Sequence, residues 1–219
     1  MTALQRAATL PPRMRGVLHT AAVPLCLAAG IVLVSLAPTT ASRASATVYA
    51  ATAFTLFAVS ALYHLGRGSP ARHRLLKRLD HAGIYLIIAG TYTPFAVLAL
   101  NGRMRAAILW AVWGGAAAGV AMHLVWVRPP AWVTTPLYVG LGWIAAFAIP
   151  ELLAGAGVAA VVLAIVGGAL YTAGGVVYAT RRPDPAPTVF GYHEVFHALT
   201  IAAFATQYVA VSMVVYGAG

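Results

Sequence analysis

The sequence predicts an all-α integral membrane protein, a bundle of seven transmembrane helices with its N-terminus in the cytoplasm and its C-terminus outside. Three observations carry this. Apolar residues make up 61% of the 219 residues and charged residues 8%, against roughly 25% charged in a soluble domain. Mean hydropathy is +0.84, and a soluble chain this short cannot hide so much apolar surface, because its outer shell must be wet. Apolar runs near the ~20 residues that span a bilayer recur along the chain, and the basic residues cluster in alternate loops. Together these exclude a soluble enzyme, a disordered chain and a disulfide scaffold. Cys26 is the only cysteine, so no internal disulfide can form.

The first span is expected at about 16–36, stopping before Pro38. Arg6, Arg13 and Arg15 ahead of it resemble a signal-peptide start. The apolar run is longer than a usual signal core, however, and no small-residue cleavage site follows, so it reads as a retained helix. The second span is expected at 44–65, and the third at 79–100 with Pro94 as a kink. The fourth is placed at 104–127, the fifth at 131–149, the sixth at 152–179 and the seventh at 188–216, all within one domain over 1–219. Pro129-Pro130, Pro150 and the Pro183-Asp184-Pro185 run supply the breaks. Glycines such as Gly114, Gly115, Gly167 and Gly168 let helices pack closely.

Short loops make the distribution of Lys and Arg a topology signal. Arg6, Arg13, Arg15, Arg67, Arg72, Arg74, Lys77, Arg78, Arg128, Arg181 and Arg182 fall on the N-terminal side; Arg43, Arg103 and Arg105 fall on the other. That bias puts the N-terminus in the cytoplasm. The formal net charge of +10 therefore points to anionic lipid headgroups at the cytoplasmic face. Nucleic acid is not expected, since no basic stripe with interleaved aromatics is present.

Ionisable residues at membrane depth are costly and are functional suspects. The seven histidines are His19, His64, His73, His81, His123, His193 and His197, and this topology sets all of them in the cytoplasmic half. His193 and His197, four apart on one helix, share a face and can bind one tetrahedral metal. Ser60 and His64 are also four apart, at the end of helix two. Asp80 opens helix three at matching depth. Three histidines from helices two and seven with an acid nearby fit a catalytic zinc site, with three protein ligands and one open position for water. Imidazole ligands also suit copper, iron or nickel. The simpler alternatives are that Ser60 bonds back to its own helix and that Asp80 caps helix three or pairs with Arg78. His19 and His123 read as polar helix-end residues, and Arg72 to Arg78 as a solvated anchor.

His193-Glu194-Val195-Phe196-His197 also matches H-E-x-x-H, in which the Glu of soluble metalloproteases is the general base. Those enzymes need a third ligand, and no Asp, Glu or His follows His197. The third ligand must come from upstream, where His64 is the natural donor. Glu194 points about 100° away from the histidine pair, and its role stays open.

These residues resemble the hemolysin III branch of the progestin and adipoQ receptor (PAQR) family, over nearly the whole chain. Ser60-Ala-Leu-Tyr-His64 is similar to the family's S-x-x-x-H. Asp80-His81-Ala82-Gly83-Ile84-Tyr85, running on to Gly90-Thr91-Tyr92-Thr93-Pro94-Phe95, is similar to its third-helix motif. His193 to His197 is similar to its H-x-x-x-H. The resemblance implies a seven-helix bundle with zinc held by His64, His193 and His197, Asp80 holding the water at the open metal position, and Ser60 close by. Relatives in the wider superfamily include alkaline ceramidases, and bacterial members are linked to membrane-lipid homeostasis. The family often has an acid and an Asn ahead of the first-helix His. Pro12 to Leu18 contains neither, so the resemblance carries no role to the start of helix one.

The expected activity is zinc-dependent hydrolysis of a lipid amide or ester at the cell membrane. Asp80 would orient the water and take its proton, and the Ser60 hydroxyl would steady the oxyanion. The alternatives are a lipid sensor or receptor whose zinc only staples helices two and seven, and a cytolytic pore.

Overall fold

The computed structural model describes residues 12–66, 68–126 and 129–219. Arg6, Arg67 and Arg128, which entered the charge argument, and Val127, the expected end of the fourth span, lie outside the described residues. Among the described residues, eight α-helices make seven crossings: α1 Val17–Ser35, α2 Thr40–His64, α3 Pro70–Ala99, α4 Gly102–Val125, α5 Ala131–Gly142, α6 Ile149–Ala156, α7 Val158–Thr180 and α8 Tyr192–Tyr216. The fifth crossing, Ala131–Ala156, combines α5, a 3-10 turn at Ile144–Ala148 and α6. Among the described residues the extended pairing is a single bridge between Ala186 and Phe190. All seven crossings are long and apolar enough to span a bilayer, so the chain is a multi-pass membrane protein.

Neighbours in sequence pack side by side from α1 through α4, and α8 returns to touch α1, α2 and α3. The most enclosed crossing is α3. Seven crossings leave the start of α1 and the end of α8 at opposite ends of the bundle. The start of α1, the end of α2, the start of α3 and the start of α8 therefore share one end.

Two boundaries differ from the sequence reading in ways that bear on function. The third helix starts at Pro70, not near 79. Ser69 caps it by accepting from the Arg72 amide at 3.3 Å, and Pro70 occupies the first turn, where its missing N–H costs nothing. The polar stretch from Arg72 to Arg78 is too charged for a bilayer but continues the helix beyond it. Asp80 therefore lies well inside α3 and cannot cap it. Nor does it pair with Arg78, whose Nη1 donates to the Leu124 carbonyl at 3.1 Å.

The second difference is at Pro150. The sequence suggests a break between spans there, but Pro150 sits in the first turn of α6. The chain turns instead at Gly157, whose φ of +80° is open to glycine and strained for other residues. The true interruption is at Trp143, where α5 gives way to the 3-10 turn. Tyr92 of α3 stitches it: its hydroxyl donates to the Gly142 carbonyl at 2.7 Å and accepts from the Ala145 amide at 2.8 Å. Backbone groups freed inside a membrane need such partners.

Candidate metal centre

The start of α8 is tightly fixed. Glu194 Oε2 accepts from the amide of the N-cap residue Gly191 at 2.9 Å, and Asp184 Oδ1 accepts from the Tyr192 amide at 2.8 Å. Glu194 Oε1 accepts from Arg15 Nε at 2.9 Å. Just before α1, the Arg13 and Met14 amides donate to the Thr188 and Val189 carbonyls, both at 3.1 Å. These contacts seat the first two turns of α8 against the entry to α1. Helix amides at an N-terminus need acceptors and favour negative charge. The Glu of H-E-x-x-H supplies both, and it is buried, with both oxygens committed away from the histidines.

His64 is the last residue of α2. Gly16, at the entry to α1, has φ +80°, and a Cβ built there would stand 2.6 Å from the His64 Cβ. Only a glycine lets the two chains approach this closely in that conformation. The approach presses His64 toward α8. His64 Nε2 and His193 Nε2 lie 3.2 Å apart. The ring centroids of His64, His193 and His197 are 4.9, 5.0 and 4.4 Å apart. One nitrogen from each of the three falls within 4.8 Å of the others.

The three histidines fit a metal ion. Ligands at ~2.0–2.1 Å around a tetrahedral ion sit roughly 3.3 Å from one another, close to the His64–His193 separation. The decisive atom is His197 Nε2, which is buried and has no hydrogen-bond partner among the described residues. An unpaired nitrogen at such depth is costly, and a metal bond relieves it. The donor set is neutral imidazole, so three close histidines can hold a metal ion.

A cavity opens beside this cluster, with His193, His197, His19, Ser60, Asp80 and His81 on its polar side. Its apolar side is Leu56, Ile84 and Phe196, which also line a second cavity. That cavity in turn shares Thr91, Tyr92 and Gln207 with a third, beside the break in the fifth crossing. Asp80 is partly buried and lines this cavity beside Ser60.

A family model described as Haemolysin-III related matches residues 8–208. The chain belongs to the haemolysin III family. It is similar to Hemolysin-3 of Bacillus cereus, 36% identical over 135 residues that cover 60% of each chain. The match thus spans less than two thirds of that relative. It is also similar to the Hemolysin-3 homolog of Bacillus subtilis (strain 168), 29% identical over 163 residues, covering 71% of this chain and 73% of that one.

In this haemolysin III protein the structure brings together every residue of the expected set: His64, His193 and His197 as a cluster, with Ser60 and Asp80 on the cavity beside it. Ser60 does not bond back to its own helix. Its Oγ lies 2.7 Å from His19 Nδ1. His19 is the residue that sequence reasoning missed. It is buried, and its Nε2 lies 2.7 Å from His197 Nδ1. The signal for it was its depth, shared with Ser60 and His64, but nothing in the spacing of α1 aims it at α8. His123 stays apart, its Nε2 3.0 Å from the Tyr138 hydroxyl. His81 Nδ1 donates to the Lys77 carbonyl at 2.8 Å, leaving Nε2 toward the Tyr178 hydroxyl at 3.3 Å.

Proposed function

We propose that this protein is a zinc-dependent hydrolase that cleaves an amide or ester bond of a membrane lipid, with its site open to the cytoplasmic leaflet. The observation that carries the reading is a three-imidazole cluster, two of whose rings, His193 and His197, line a cavity together with the Asp80 carboxylate, the apolar side of that cavity leading on to two further cavities among the helices. His64, His193 and His197 would hold the ion. Zinc bound there would polarise a carbonyl and bring the pKa of water to ~7.

The chain's own residues do the rest. Asp80 orients the attacking water and accepts its proton, which requires hydrogen-bond reach to that water. Ser60, on the same cavity wall as Asp80, would steady the oxyanion with its hydroxyl hydrogen. Leu56, Ile84 and Phe196 lead the acyl chain into the second cavity, where apolar walls suit a hydrocarbon and exclude a polar soluble substrate. The exposed basic residues Arg72, Arg74 and Arg181, at the same end, favour lipids with anionic headgroups. Hydrolysis of this kind serves membrane-lipid homeostasis.

The names of the two Bacillus relatives point to lysis of cells. A conducting pore needs a polar line through the membrane or a hydrophobic gate within one, and the cavities beyond the histidines are lined mostly by apolar residues. That favours hydrolysis over a pore.

The first test is elemental analysis of detergent-purified protein, wild type beside His193→Ala. About one zinc per chain in the wild type and almost none in the variant is expected. A folded wild type without metal would overturn the proposal. Asp80→Asn should then keep its zinc and lose cleavage of lipid amides and esters. If Asp80→Asn instead loses metal and fold together, zinc is a staple and the protein a sensor.

A further inference from the structure

We infer that His19 is a positioning residue: it locks His197 in the tautomer that can bind metal and passes the hydrogen bond on, in one direction, to Ser60. This rests on the metal-site reading above and extends it to a residue outside the ligand set.

The direction follows from counting protons. A neutral imidazole carries one N–H. If His197 gives its buried Nε2 lone pair to a metal, its proton must sit on Nδ1. That N–H donates to His19 Nε2, 2.7 Å away. His19 Nε2 is then an acceptor, so its own proton sits on Nδ1 and donates to Ser60 Oγ, also at 2.7 Å. Ser60 accepts that bond and keeps its own hydroxyl hydrogen for the cavity that it lines together with Asp80. The chain runs His197 to His19 to Ser60, each histidine donating onward.

The reverse order fails on the same count. If His19 donated to His197 Nδ1, the His197 proton would move to Nε2. That nitrogen is buried without a partner, so the N–H would be stranded and the metal position lost.

Packing leaves His19 little freedom to do otherwise. Its ring meets Phe57 edge-on at 5.1 Å and lies 3.7 Å from the His197 ring, centroid to centroid. A metal-bound histidine whose other N–H is held by an acceptor is oriented and made more basic, and loss of that acceptor typically costs 10–100-fold in metal affinity.

The test is zinc affinity by chelator competition on detergent-purified full-length protein, comparing wild type, His19→Leu, His19→Gln and His197→Ala. His19→Leu should bind zinc roughly 10–100-fold more weakly. His19→Gln should recover to within a few-fold, because an amide oxygen can accept from His197 while its N–H donates to Ser60. His19→Leu with wild-type affinity, or Gln no better than Leu, would overturn the inference. Undiminished zinc in His197→Ala would instead sink the ligand set itself.

If His19→Leu does not fold, the wild type still decides. Nitrogen-15 NMR of histidine-labelled, zinc-loaded protein should show the His19 proton on Nδ1 and Nε2 bare. A proton on His19 Nε2 would refute the chain direction.

Discussion

Glu194 offers the sharpest separation between what a motif suggests and what the structure assigns. In a soluble H-E-x-x-H enzyme, Glu→Gln removes the general base and leaves the fold intact. In this protein the carboxylate holds two donors, the Gly191 amide and Arg15 Nε, each at 2.9 Å. Its side chain is 1% exposed, whereas that of Arg15 is 28% exposed. Gln has a single carbonyl oxygen and can satisfy only one donor, while its NH₂ opposes the other. Hydrogen bonds to charged groups contribute about 1.5–3 kcal/mol net. Water can partly rescue Arg15, so Glu194→Gln should destabilise by about 1–3 kcal/mol. Ala loses both bonds and strands the Gly191 amide at a buried helix start, for about 3–5 kcal/mol. The assay is thermal unfolding in detergent followed by tryptophan fluorescence, with zinc content measured on the same samples. The melting temperature should fall by several degrees in Gln and further in Ala, with zinc stoichiometry unchanged before unfolding. A Gln variant that melts like the wild type but loses zinc or hydrolysis would refute the structural role and restore the protease-like one.

Four other substitutions follow from the packing and the hydrogen bonds. Gly16→Ala should lower both stability and zinc affinity, because a positive φ costs about 1–2 kcal/mol and the new methyl must displace His64; unaltered affinity would show that the Gly16–His64 contact does not set the ligand. Tyr92→Phe should destabilise by about 2–5 kcal/mol, since the Gly142 carbonyl and the Ala145 amide both lose their partner; an unchanged unfolding midpoint would mean that another donor or water fills the break. Gly155→Ala should be strongly destabilising, because its Cβ would collide with the Ala99 carbonyl. Gly114→Ala, with open space around it, should be neutral or stabilise by up to ~1 kcal/mol. Equal melting temperatures for these two variants would contradict the packing of α6 on α3.

The legible parts of the sequence were those with a strong local signal. Apolar runs marked the seven crossings, and a four-residue spacing placed His193 and His197 on one face of α8. Ser60 and His64 were legible for the same reason. Tertiary contacts were not. The charged start of α3 was read as loop because hydropathy reports the bilayer and not the helix, although Ser69-Pro70 carried a helix-start signal. Pro150 was read as a break because a proline opening a helix and a proline ending one look alike in sequence. His19 went unplaced because its partners are 41 and 178 residues away, and no periodicity reaches that far.

The three clustered histidines come from two places in the chain, His64 on the second crossing and His193 and His197 on the seventh, with His19 and Gly16 bracing them from the first crossing and its entry. Most of the polypeptide must be threaded into the bilayer before the centre can exist. Lipid tails give helices little hydrophobic reason to associate, so metal-binding energy at a site that exists only once α8 has joined α1 and α2 would act as helix-association energy. A chain stalled before α8 would hold one of the three histidines and stay unclasped. Metal capture in this fold would thus report that the seventh crossing has been inserted and has closed onto the first.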